Sequence, residues 1–219
     1  MRAPVIVTET GPAATRAAPS RGKLRTLACN VGLAACYLPF SWGMLNDFMH
    51  THRLSSLILT FFETLIVFYS LFRPAPKQAN TSLYDWTVAL AGTFILLLLR
   101  PAPQVHDHLA IIALQLVGMS TSLAALFSLN KSFGLVAANR GVKRGGLYGV
   151  VRHPIYAGYF ISFAAYVVQN ATVWNAALYA VFVCIELLRV AAEERVLSGD
   201  QEYVSYARST RWRVVPFLY

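Results

Sequence analysis

The residues best able to do chemistry crowd into 15 positions, 145–159. They read Gly145-Gly146-Leu147-Tyr148-Gly149-Val150-Val151-Arg152-His153-Pro154-Ile155-Tyr156-Ala157-Gly158-Tyr159. Glycines let a backbone approach a ligand and expose its N–H groups. Arg140, Lys143 and Arg144, just upstream, add affinity for anions. The run is not a dinucleotide fingerprint, because no strand precedes it and no βαβ unit surrounds it. Pro154 suits the first turn of a helix, where its missing N–H costs nothing. Arg152 and His153 then stand at the positive end of a helix dipole, which favours a carboxylate or phosphate. Tyr156 and Tyr159, three apart, share a helix face. The same residues also suit a flexible basic loop and an aromatic belt at a lipid surface.

A second cluster is Glu186, Arg189, Glu193 and Glu194. Only ten residues in the chain are acidic, and three of these four positions are among them. Arg189 and Glu193, four apart, share a helix face. A solvated helix face is one reading. The other is a set of carboxylates for the hydroxyls or amino group of a polar ligand held by the Gly/Arg loop. A short helical hairpin between the clusters would bring both to one end, since its two ends are Arg152-His153 and Arg189–Glu194.

Composition says what must position them. The 219 residues are 56% hydrophobic and 13% charged, against about 25% charged in soluble domains. Mean hydropathy is +0.49. Apolar runs cover 27–45, 54–72, 84–99, 109–129, 154–168 and 173–188. Spanning a bilayer takes about 20 residues, so the last pair is a marginal hairpin. The expected fold is all-α: a polytopic membrane helical bundle of about five to six transmembrane helices. Pro39 is an expected kink, and the Arg73-Pro74-Ala75-Pro76 and Arg100-Pro101-Ala102-Pro103 connections are expected spacers.

The net charge of +9 could suggest nucleic acid, but its distribution does not. Of the 19 Lys and Arg, Arg53 and Arg100 fall in connections on one side; the other 17 fall on the opposite side. That asymmetry fits six spans with both termini cytosolic. It makes the positive charge a topology signal and an attraction for anionic lipid. Residues 1–23 lack the apolar core of a secretory signal and read as a disordered cytosolic tail; a transit peptide could look similar.

Cys29, Cys36 and Cys184 lie in apolar segments and read as small buried hydrophobes; no zinc spacing is present. Glu63 sits mid-span, where an ionisable group is either functional or hydrogen-bonded within the bundle. His106 and His108 form an H-x-H, weak evidence for a metal, and no metal site is expected.

Taken together, Gly146-Leu147-Tyr148, then Arg152-His153-Pro154-Ile155-Tyr156-Ala157-Gly158, then Arg189 with Glu193-Glu194, resemble a known group. It is the integral-membrane methyltransferases of the isoprenylcysteine carboxyl methyltransferase and phospholipid methyltransferase families. The similarity covers roughly residues 115–215. It implies S-adenosylmethionine as methyl donor, bound at the cytosolic face, and a lipophilic or small acceptor. It also implies a cofactor site of Arg140, Val142, Lys143, Tyr148, His153, Pro154, Tyr156, Glu193 and Glu194, with Arg189 and His153 as catalytic residues. Residues 24–130 would form the acceptor-side helices, and 131–219 the cofactor loop, hairpin and cytosolic tail. The competing classes are an NADPH-dependent membrane reductase of the sterol-reductase type and a non-catalytic membrane protein. The expected partners are a lipid or lipophilic acceptor and the membrane itself.

Overall fold

The structure, a computed structural model, describes residues 21–71, 82–103, 106–129 and 142–219. Among them it is all-helical: α1 (Arg21–Thr51), α2 (Leu54–Leu71), α3 (Leu83–Ile95), α4 (Leu109–Leu129), α5 (Pro154–Gln169), α6 (Val173–Leu197) and α7 (Gln201–Ser209). A 3-10 turn, Leu96–Leu98, prolongs α3, and another, Gly146–Gly149, precedes α5. The expected spacer 73–76 and most of the expected tail lie outside the described residues.

Local chemistry sets the boundaries. Helix α1 runs through Pro39 and stops at His52, whose positive φ of 55° ends it. Pro154 opens α5 at its first turn. The Thr172 hydroxyl accepts from the Asn175 N–H to start α6. Ser198-Gly199 breaks α6, and Asp200 restarts the chain by capping α7 at the Glu202 N–H.

Helix α4 packs along α5, α1 along α2, and α3 along α6. Along the α4–α5 contact the backbones approach closely, because Gly118 and Ser122 face Gly158 and Ser162. A Cβ added at Gly118 would lie 2.5 Å from the Ser162 backbone nitrogen. This is the small-xxx-small spacing that lets apolar helices approach in a bilayer. Phe62, Phe163, Tyr166, Phe182 and Leu59 form the main core, and the rings of Phe163 and Phe182 lie 5.7 Å apart.

The burial pattern is inverted for a soluble protein. Trp42, Phe61, Phe127 and Leu188 face outward, whereas Ser55, Gln115, Ser162, Asn170, Asn175, Glu186 and Arg189 are buried. Exposed apolar side chains on several helices mark a lipid contact. Helices Leu109–Leu129 and Val173–Leu197 are long and apolar enough to cross a membrane. Cys36 and Cys184 belong to this outward surface, so the expectation that they are buried is corrected; the Cys29 side chain is outside the description. The cause is that an apolar helix set in lipid turns small hydrophobes outward as readily as inward.

Polar groups concentrate at the two ends of the bundle. At one end Arg53 pairs with Asp47 at 2.6 Å and donates to Asn170 Oδ1 at 2.9 Å and to the Ala102 carbonyl. Asp107 accepts from the Ser55 backbone and hydroxyl. Gln169 holds the backbones of His106 and His108, both exposed. This network ties together the turns α1–α2, α3–α4 and α5–α6. The opposite end carries the site.

Candidate functional site

Four pieces of chain converge where α5 starts and α6 ends. Arg152 and His153 come from the turn before α5, and Glu193 and Glu194 from the last turns of α6. Tyr203 comes from α7, and Arg213 from the closing segment. That segment is held by backbone pairing: Arg152 N–H donates to Trp212 O at 2.9 Å, and His153 N–H to Arg213 O at 2.7 Å.

Glu194 is the hub. Its Oε1 bonds His153 Nε2 at 2.7 Å and accepts from the Tyr203 hydroxyl at 2.5 Å, and it forms an ion pair, without a hydrogen bond, with Arg152 Nε at 3.0 Å. Arg213, half exposed, stands 3.9 Å from Oε2. Glu193 accepts from the Tyr156 hydroxyl at 2.5 Å and faces His153 Nδ1 at 3.6 Å. Deeper in, Arg189 lies 3.8 Å from Glu193, 3.3 Å from Glu186 and over the Tyr156 ring. Glu186 is fully buried, and it fits because Gly92 on α3 has no side chain; a Cβ there would collide with its carboxylate.

His153 thus has a carboxylate facing each ring nitrogen, Glu194 hydrogen-bonded at Nε2 and Glu193 3.6 Å from Nδ1, and both carboxylates favour the protonated ring. Burial alone would lower its pKa, but the hydrogen bonds and charges of Glu193 and Glu194 outweigh burial and raise it. A raised folded-state pKa gives stability that is complete below the unfolded value, about 6.5. That stability is lost as pH rises through the folded value. Melting of the detergent-solubilised protein should therefore fall as pH rises above about 6.5, and fall less in His153→Gln. Equal pH slopes for the two proteins would contradict the imidazolium.

The structure brings His153, Tyr156, Arg189, Glu193 and Glu194 together, with Pro154 fixing the start of α5. Tyr148 sits beside this group, not in it. It packs with Ala125, Leu126 and Tyr206, and its carbonyl accepts from the Tyr206 hydroxyl at 2.7 Å. Val142 packs on the same cluster, and Lys143 is exposed. Arg140 lies outside the described residues. Beside Tyr148, Gly145 and Gly146 border open space, and Gly146 takes a φ of 62°. Sequence reasoning missed Tyr203 and Arg213 and gave Arg152 no partner. Only the Ser-Gly-Asp break after α6 hinted that α7 folds back.

With this geometry in place, comparison with known proteins adds a partial family match. Residues 108–200 match the family model described as phospholipid methyltransferase. The matched segment contains α4, α5 and α6 and every residue of the cluster except Tyr203 and Arg213. It supports a membrane methyltransferase as the general activity and agrees with the resemblance drawn from the Arg-His-Pro and Glu-Glu residues. No curated protein matches the chain.

Proposed function

We propose that the chain is a multi-pass membrane methyltransferase that uses S-adenosylmethionine at the cytosolic face and methylates a lipophilic acceptor. The observation that carries this reading is the contact of His153 with Glu194 at 2.7 Å, inside the matched segment and at the mouth of the α5–α6 hairpin. The charge asymmetry of the connections supports the cytosolic face.

The donor set fits the cofactor. Glu193 and Glu194 are carboxylates for its amino group and ribose hydroxyls. Arg213, half exposed at the rim, suits its carboxylate, and the open space at Gly145 and Gly146 leaves room for backbone approach. Tyr148, Tyr156, Val142, Lys143 and Arg140 complete the assignment. When bound, S-adenosylmethionine supplies an electrophilic methyl group.

The protein's own residues do the rest. Arg189, held by Glu186 and Glu193, points a fixed positive charge at the acceptor side. His153, hydrogen-bonded to Glu194 at Nε2 and 3.6 Å from Glu193 at Nδ1, holds the two carboxylates in place. Burial of Arg189, Tyr156 and Glu186 keeps water from the reacting atoms. Holding two reactants in line lowers a barrier by roughly 7–11 kcal/mol, so no covalent intermediate is needed.

Calorimetric titration of the detergent-solubilised protein with S-adenosylhomocysteine and, separately, NADPH tests the class. The expected result is binding of the first only. Binding of NADPH alone would replace this reading with the reductase. Incubating membranes with radiolabelled S-adenosylmethionine and extracting the labelled molecule then identifies the acceptor.

A further inference from the structure

After α7 the chain makes an apolar turn, Val215-Pro216-Phe217-Leu218. Phe217 is 86% exposed and Leu218 80%. Phe217 takes a φ of 68°, a left-handed conformation that bulky residues rarely adopt. Backbone bonds hold it there. The Tyr219 carbonyl oxygen accepts from the N–H groups of Arg213, Val214 and Val215 at 2.9, 2.9 and 3.1 Å, and the Leu218 N–H donates to the Val215 carbonyl at 3.2 Å. The turn is therefore fixed with its two largest apolar side chains outward.

Its neighbours give its level in the bundle. Val214 is fully buried in a cluster with Tyr156 of α5 and Val190 of α6, and Tyr219 packs on the same cluster. Tyr156 lies in the first turn of α5, and Val190 two residues beyond the outward-facing Leu188 of α6. The segment expected as part of a cytosolic tail thus returns to the helices where their lipid-facing surface begins. The Trp212 ring stands 5.4 Å from that of Phe217, and the exposed Arg211 lies over Trp212 at 5.8 Å. A cation, an indole and a bare apolar tip follow the order in which a bilayer presents phosphate, interface and acyl chain.

We propose that the Val215–Leu218 turn is a membrane-docking surface whose partner is an anionic phospholipid leaflet: Phe217 and Leu218 enter the acyl chains, Trp212 lies at the interface and Arg211 meets lipid phosphate. The leaflet is the one on the site's side. This goes beyond the methyltransferase reading and does not depend on it. An apolar tip left in water would be an aggregation liability. The flanking arginine and tryptophan favour a headgroup layer over an apolar protein face. Because the Arg152 and His153 N–H groups bond the Trp212 and Arg213 carbonyls, the docked turn also sets the level of the carboxylate cluster at the bilayer.

The test uses the full chain with Cys29→Ala, Cys36→Ala and Cys184→Ala. One nitroxide label at a time is attached through Phe217→Cys, Leu218→Cys, Leu116→Cys or Gln201→Cys, and the protein is reconstituted into mixed phosphatidylcholine–phosphatidylglycerol vesicles. Power-saturation EPR compares collisions with oxygen, which concentrates in lipid, and with a water-soluble nickel chelate. Leu116, exposed midway along α4, is the lipid reference, and Gln201, exposed at the start of α7, is the water reference. Positions 217 and 218 are both exposed, so neither label disturbs packing. Expected is a loss of nickel accessibility at both, relative to 201, with oxygen favoured as at 116. Vesicles of phosphatidylcholine alone should raise nickel accessibility at 217, and Arg211→Gln should give the same rise in mixed vesicles. Labels at 217 and 218 as open to nickel as at 201 overturn the proposal. So does accessibility at 217 that ignores both the anionic lipid and Arg211→Gln. Spin–spin broadening at 217 would make a second copy of the chain the occupant, and overturns it as well.

Discussion

Glu194→Gln is expected to lower stability by about 3–5 kcal/mol, the cost of leaving buried charges without their partner. Arg152 and His153 have side chains 8% and 6% exposed, and Glu194 Oε1 faces both. The amide oxygen of glutamine can still accept from Tyr203, so that bond is not the source of the loss. Tyr203→Phe, which removes only that bond, should cost about 1 kcal/mol. The comparison separates charge from hydrogen bonding at one atom. On the proposed reading Glu194→Gln also weakens S-adenosylhomocysteine by about tenfold or more, measured calorimetrically at a temperature where the variant remains folded. A variant that melts like wild type would show that Glu194 is not the hub described. One that folds poorly yet binds S-adenosylhomocysteine normally would leave it a structural residue.

Gly158→Val should prevent recovery of a folded protein. A Cβ at this position would sit 2.7 Å from the Ser122 backbone nitrogen and closer still to the Gly118 carbonyl. Both are backbone atoms of α4, so no rotamer change relieves the clash and the helices must separate. Separation also breaks the bond from the Ser122 hydroxyl to the Ile155 carbonyl at 3.0 Å. The cost therefore exceeds the usual 1–3 kcal/mol, approximately, of overpacking. Size-exclusion profiles in detergent should show aggregate in place of the wild-type peak. Gly145→Ala is the matched control, because nothing lies near its added carbon; its stability should stay within about 0.5 kcal/mol of wild type. A monodisperse Gly158→Val would mean that α4 and α5 are not in backbone contact.

Both experiments address contacts that local patterns reveal unevenly. The pairing of Arg189 with Glu193 and Glu186 was legible, because helical spacing alone puts residues three and four apart on one face. So was the meeting of His153 with Glu194, because a short hairpin returns the chain to the end it left. The Tyr203 contact was not legible. It depends on α7 folding back after Ser198-Gly199, and the direction of a chain after a break is set by what it packs against. Nor was the packing of Tyr148 against Ala125 and Leu126 of α4 and Tyr206 of α7 legible, since it joins segments far apart in the chain.

From the sequence alone came the apolar runs, their all-helical character, the Pro154 helix start and the charge asymmetry between connections. Each depends on residues close in the chain or on composition, and lipid imposes them whatever the packing. Tertiary structure alone decided which polar side chains face inward. It set the α4–α5 approach at Gly118 and Gly158, the pairing of Arg53 with Asp47 and Asn170, and the closing segment's hold on Arg152 and His153. It also left Glu63 buried, with no hydrogen bond or ion pair among the described residues. Those outcomes depend on helix rotation and on contacts between distant segments, and a periodic apolar pattern in a bilayer leaves both open, since outward and inward faces are equally greasy.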